Sequence, residues 1–248
     1  MRRKKLCGKI IICLLVFVCL SFATSASGAE PQMPASLDVK EFPLPASDDR
    51  VITGNAALEK ELAEKEIELN DVFEEYKNSL MPHLKVLFDE NQLDWEDCMR
   101  DEKRAFSPAD KWTRANRKSK YENLYRLNLL KAVDFRKSQI ESFKNKSVAK
   151  IDDVSKLEAE KKYIVIEMYD VDYRVNVWTP EQLRYRVVRA KKTWDRYYES
   201  SLVFFRAMYP GDPGKIISLE TELLRYRFEY MKVQKEALFR LKFESEDL

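Results

Sequence analysis

Between Asn55 and Leu248 the chain has two glycines, Gly211 and Gly214, and five prolines, Pro82, Pro108, Pro180, Pro210 and Pro213. That scarcity decides the fold class. Hairpins and sheets need frequent turn residues, many with positive φ, and a stretch this poor in them can reverse direction at only a few breakers. The segments between the breakers are long, charged and rich in good helix formers, so the expected fold is all-α.

Apolar spacing gives each segment a helical stripe. A first helix starts near Asn55 and carries Leu58, Leu62, Leu69, Phe73, Tyr76 and Leu80, with one skipped position at Lys65. Pro82 closes it or opens a second, which places Leu84, Leu87, Phe88, Asn91 and Trp95 on one face. "SPAD" at 107–110 marks the next boundary, with Pro108 suited to a first turn, and a third helix runs to about Asn145. Asp152 or Asp153 then caps a fourth, striped by Leu157, Ile164, Met168, Val171, Val175 and Trp178. "TPEQ" at 179–182 predicts a Thr N-cap and a Pro first turn for a fifth, which holds Leu183, Val187, Ala190, Trp194 and Tyr197. "YPGDPG" at 209–214 breaks the chain before a last helix with Ile216, Leu219, Leu223, Tyr226, Tyr230, Val233, Ala237 and Leu241.

The second half repeats the first. Sliding the chain by 99 residues lays "IELNDVFEEYKNSLMPHL" (67–84) over "IEMYDVDYRVNVWTPEQL" (166–183) without a gap, and places Trp95 on Trp194, Leu124 on Leu223 and Arg126 on Arg225. Chance similarity between amphipathic helices is the rival explanation. The shared proline break, with a Trp at a fixed distance after it, favours two tandem three-helix units, 55–148 and 152–248. Each unit is large enough to bury a core of its own.

The start of the chain bears on compartment. "MRRKK" followed by an apolar run from Ile10 to Ala23, too short to span a bilayer comfortably, and then "SASGAE" reads as a cleavable signal peptide over 1–29. A retained anchor is the alternative. Cleavage removes Arg2, Arg3, Lys4, Lys5 and Lys9 and no acid, moving the formal charge from +2 to −3. Polyanion binding is then not the default expectation. Cleavage also removes Cys7, Cys13 and Cys19, so no internal disulfide is expected and Cys98 remains as a lone thiol, read as a buried small hydrophobe. Residues 30–54 hold four prolines and little periodicity, as an extended linker does.

A family resemblance joins these readings. In "LNDVFEEYKNSLMPHLKVLFDENQLDW" the residues Leu69, Asn70, Tyr76, Leu84, Gln92 and Trp95 fit the pattern of the LprI-type lysozyme inhibitor N-terminal domain. In the second copy Leu183, Trp194, Tyr197, Leu223, Arg227 and Met231 fit it. The chain thus resembles two divergent copies of that domain over most of residues 58–240. It departs from the family in lacking cysteines after the Trp motif and near the last helix, and it has Lys191 in place of the glutamine and Asn128 opposite Arg227. The resemblance implies an exported, periplasmic or secreted protein that binds and inhibits a lysozyme-type muramidase, with these twelve positions in structural roles. Acidic surface would aid encounter with a basic enzyme, and loops near 80–83, 104–110, 177–182 and 207–214 are candidates to enter its cleft. A non-catalytic module that binds another envelope protein through its helical faces is the alternative.

No catalytic, metal or cofactor site is expected. His83 is the only histidine and follows a helix-breaking proline, where a solvated histidine is the plain reading. Zinc would lack ligands, and the glycines do not make a phosphate loop. Acid pairs such as Asp94, Glu96 and Asp97, or Glu220 and Glu222, arise by default on charged helix faces; an enzyme would need one of them to be a catalytic dyad. "KWTRANRKSKY" (111–121) is the one polyanion candidate, and its plainer reading is a solvated face. The tyrosines Tyr185, Tyr197, Tyr198, Tyr209, Tyr226 and Tyr230 read as interhelical packing.

Overall fold

A computed structural model describes residues 55–105, 120–145, 153–179 and 181–243 of the chain. The leader, the linker and the 111–121 run, apart from the first residues of the third helix, lie outside the described residues, as does the turn at Pro108. All the described residues are helices and their short connections: α1 (Asn55–Ser79), α2 (Pro82–Ala105), α3 (Lys120–Lys144), α4 (Val154–Trp178), α5 (Glu181–Met208) and α6 (Pro213–Phe243). They belong to one compact unit, Phe42–Leu248.

The 99-residue offset holds in the helix boundaries. Asn55 and Ser79 of α1 map onto Val154 and Trp178 of α4, Pro82 maps onto Glu181, and Lys144 maps onto Phe243. Within each half the first and third helices run parallel. Ion pairs Arg126–Glu59 (2.7 Å), Lys137–Glu68 (2.7 Å) and Lys144–Glu75 (2.5 Å) rise together along α1 and α3. On α4 and α6, Arg225 pairs with Glu160 and Trp178 packs on Phe239 (ring centroids 5.4 Å apart). Such exposed pairs contribute about 0–1 kcal/mol each, whereas each fully buried large side chain contributes about 1.5–3, so burial and not the rim charges holds the bundle.

The core runs through both halves. α2 lies antiparallel along α5, with Phe88 against Phe204 (5.1 Å) and Asn91 donating to the hydroxyls of Ser200 (3.1 Å) and Ser201 (2.8 Å). Asp97 accepts from Arg196 (3.0 Å), the residue at its own position in the other copy, so this contact falls where a twofold relating the halves would pass. α3 crosses to α6 through the stacked pair Phe135–Tyr226 (4.2 Å).

The expected stripes are largely the buried ones: Leu58, Leu62, Leu69, Phe73 and Tyr76 on α1, and Leu84, Phe88, Asn91 and Trp95 on α2. Cys98 is buried among them as a free thiol, and burial, followed by the nearby Glu102, pushes its pKa up to about 12. Asp153 is the residue that caps α4, accepting from the Lys156 N–H (3.1 Å). Thr179 departs from expectation. Its hydroxyl and its N–H both bond back to the Val175 carbonyl (2.5 and 3.0 Å), so its hydroxyl closes α4 instead of capping α5.

Candidate functional site

Two grooves occupy equivalent places in the two halves. The first, of about 500 Å³, lies between α1 and α2. Leu69, Trp95 and Met99 form its apolar floor because the same helical stripe that builds the core reaches the surface there. Asn70, Gln92 and Glu96 make one rim, and Arg100, Lys103 and Arg104 another. A Lys103–Glu66 ion pair straps α2 to α1.

Beneath it sits a fully buried arginine that the sequence reading did not single out. Arg136 donates from Nε and Nη2 to Gln92 Oε1 (3.2 Å each) and from Nη1 to Gln139 Oε1 (2.7 Å), with the Tyr197 hydroxyl at 3.4 Å. The rings of Phe88 and Tyr197 each lie 5.6 Å from the guanidinium carbon. Burial pulls its pKa down, and Tyr197 works against that. Gln92 is therefore the link between groove and core: its other end donates to Glu96 (3.2 Å) on the rim.

The second groove, of about 430 Å³, lies between α4 and α5 above α6. Val165, Met168 and Tyr169 stand 99 residues after Glu66, Leu69 and Asn70, and Lys191, Trp194, Asp195 and Tyr198 stand 99 after Gln92, Trp95, Glu96 and Met99. The place is the same but the chemistry differs. Val165 and Leu202 replace the strap pair Glu66 and Lys103, and the lining is apolar and aromatic apart from Asp195, Arg227 and an Asp172–Lys191 ion pair (2.5 Å) at the rim.

Arg227 lies at the base of this groove. It donates from Nη1 to Glu102 Oε1 (2.8 Å) and stacks on Trp194 (4.8 Å) and Tyr230 (5.3 Å). Glu102 also accepts from Gln234 (2.7 Å) and Tyr230 (3.4 Å). Burial would lower the pKa of Arg227, but Glu102 and its hydrogen bond reverse the direction and hold the guanidinium charged. Arg227 Nε is buried without a hydrogen-bond partner.

The twelve motif positions thus divide. Leu69, Asn70, Gln92 and Trp95 line the first groove, and Trp194, Arg227 and Met231 line the second. Tyr76, Leu84, Leu183, Tyr197 and Leu223 lie in the core; the Tyr76 hydroxyl meets Met208 Sδ at 3.5 Å. Asn128, opposite Arg227 in the repeat, donates to the Tyr230 carbonyl (3.3 Å).

Two acids of α2 leave the solvent. Asp101 and Glu102 are buried, and their partners Arg189 and Arg227 come from the other half of the chain, out of reach of any local pattern. Tyr185 also departs from expectation, being 75% exposed instead of packed. α4 exposes a track that had not been singled out: Tyr163, Ile166, Tyr169, Tyr173 and Val177 share one outward arc. In α1 the same positions are Glu64, Ile67, Asn70, Glu74 and Asn78. Packing does not demand the tyrosines, since the other copy does without them.

Among the described residues no cluster of three or more His, Cys, Asp or Glu could hold a metal, and no helix is long and apolar enough to cross a membrane. Comparison with protein-family profiles, with curated proteins and with solved structures finds no match to this chain.

Proposed function

We propose that the chain is an exported, non-catalytic binding protein that docks a lysozyme-type muramidase and inhibits it, as its resemblance to the LprI-type inhibitors implies. The observation that supports this reading most is the repeated groove, because seven of the twelve motif positions line it in one copy or the other. The groove of the second copy is the better receptor. Its lining carries fewer charged side chains than the first groove's, and the ion pair that joins its two helices, Asp172–Lys191, stands at the rim at positions other than those of Glu66 and Lys103.

A direct test adds purified residues 30–248 to a muramidase assay and to gel filtration. The reading predicts a stoichiometric fall in lytic rate and a co-eluting complex. An unchanged rate at excess protein, with no complex, overturns it. The tyrosine track of α4 favours a second reading, a module that binds another envelope protein along a helix face. In that case the muramidase assay stays flat and the chain co-purifies with that partner.

A further inference from the structure

The outer face formed by the C-terminal half of α2 and the N-terminal half of α5 carries a positive surplus that comes from α5, where Arg184, Arg186, Arg189 and Lys192 stand against Glu181, while on α2 Arg100 and Arg104 offset Asp97 and Asp101. Each of its two aspartates is bracketed by a pair of arginines. Asp97 takes both Arg100 and Arg196, the latter at 3.0 Å, and Asp101 takes Arg189 at 2.9 Å and Arg104 at 4.0 Å. Asp101 is buried beneath its arginines, whereas the Arg104 side chain is 62% exposed, so the cationic heads lie outermost. Arg184, Arg186 and Lys192 add three more basic side chains on the same stretch of α5, which also carries Glu181 and Asp195, with Glu199 one turn further on.

Set among these charges are two exposed apolar groups, Tyr185 and Val188. We propose that this face docks on an anionic lipid surface, with the arginines meeting phosphate headgroups and Tyr185 and Val188 entering the interfacial layer. Charge complementarity points to an anionic partner. The choice of a bilayer over a polymer rests on the exposed Tyr185 and Val188, which a headgroup layer can bury and a phosphodiester strand would leave wet. Nothing in this depends on muramidase binding. A basic enzyme is repelled by this face, whose Arg100 and Arg104 also rim the first groove, so the muramidase reading rests on the second groove.

The experiment is flotation of residues 30–248, whose described helices form one compact unit, with vesicles of equal parts phosphatidylglycerol and phosphatidylcholine, and with phosphatidylcholine alone. Wild type is expected to float with the anionic vesicles only, and to be released as salt shortens the Debye length to about 8 Å at 0.15 M. Arg184→Glu with Lys192→Glu lowers partitioning on the order of 100-fold. Tyr185→Ser weakens it while leaving the salt dependence in place. Arg206→Glu, at the far end of α5, leaves it unchanged, and circular dichroism confirms that all variants stay helical. Equal binding to neutral vesicles overturns the proposal, as does an equal loss with Arg206→Glu. Binding to duplex DNA that needs Arg184 and Lys192, without vesicle binding, replaces the bilayer with a polymer and also overturns it.

Discussion

Arg136 and Arg227 are both buried arginines, and the chain satisfies them in opposite ways. Arg136 is surrounded by neutral acceptors, with Gln92 taking two of its hydrogen bonds, whereas Arg227 has a buried carboxylate, Glu102. Removing one member of a buried ion pair strands the other and costs about 3–5 kcal/mol, more than the pair itself is worth against an apolar replacement. Arg227→Met should therefore lower stability to urea by about that amount, and Arg227→Met with Glu102→Gln should recover much of it. Equal destabilisation by the single and double variants would show that the charge is not what matters there. Of these residues, Gln92 and Arg227 were legible through the family pattern. Arg136 and Glu102 were not, because in sequence each is one charged residue among many, and only long-range packing removes it from water.

At the scale of the helices, stripes and breakers were read well and connections less so. A stripe is a local property with a fixed period, so Leu58 to Tyr76 could be assigned without knowing the partner helix. A cap depends on which of two neighbouring helices a hydroxyl turns toward, and Thr179 turned back. α4 carries two apolar stripes at the same helical spacing, one buried in the core and one, from Tyr163 to Val177, exposed, and spacing alone does not tell which of them packs.

The turn before α6 gives a test. Gly211 has φ +83°, which glycine adopts without strain, and Asp212 Oδ1 then accepts from the Lys215 N–H (3.1 Å) as the helix cap. That backbone bond, aided by the Lys215 ammonium, holds the Asp212 carboxyl below its usual pKa. A folded pKa lowered in this way contributes stability that is present above the unfolded value and lost as pH falls. Asp212→Ala should lower the Tm most at neutral pH, with the deficit shrinking as pH drops below about 4. A deficit that does not change with pH would mean that the carboxylate is not the cap.

For the whole molecule the repeat was legible, and the 99-residue offset reappears in both ends of α1 and α4, the starts of α2 and α5 and the ends of α3 and α6. The sharing of one core was not, since the contacts that join the halves, such as Phe88 with Phe204, come from residues more than a hundred positions apart. Net charge misled in a related way. A formal charge of −3 over residues 30–248 hides the basic surplus along the N-terminal half of α5, because a sum over the sequence erases position.

The repeat also supplies its own control for function. One groove is strapped by Glu66 and Lys103, and the other has Val165 and Leu202 at the same places. Building that ion pair into the second groove with Val165→Glu and Leu202→Lys should replace part of its apolar wall with charge while leaving the helices as they are in the first copy. The deciding measurement is the muramidase rate titrated with wild type and with this variant. Stoichiometric inhibition by wild type, and at least a tenfold weaker effect from the strapped variant, about 1.4 kcal/mol, is the predicted result; inhibition by the folded variant equal to wild type would contradict it.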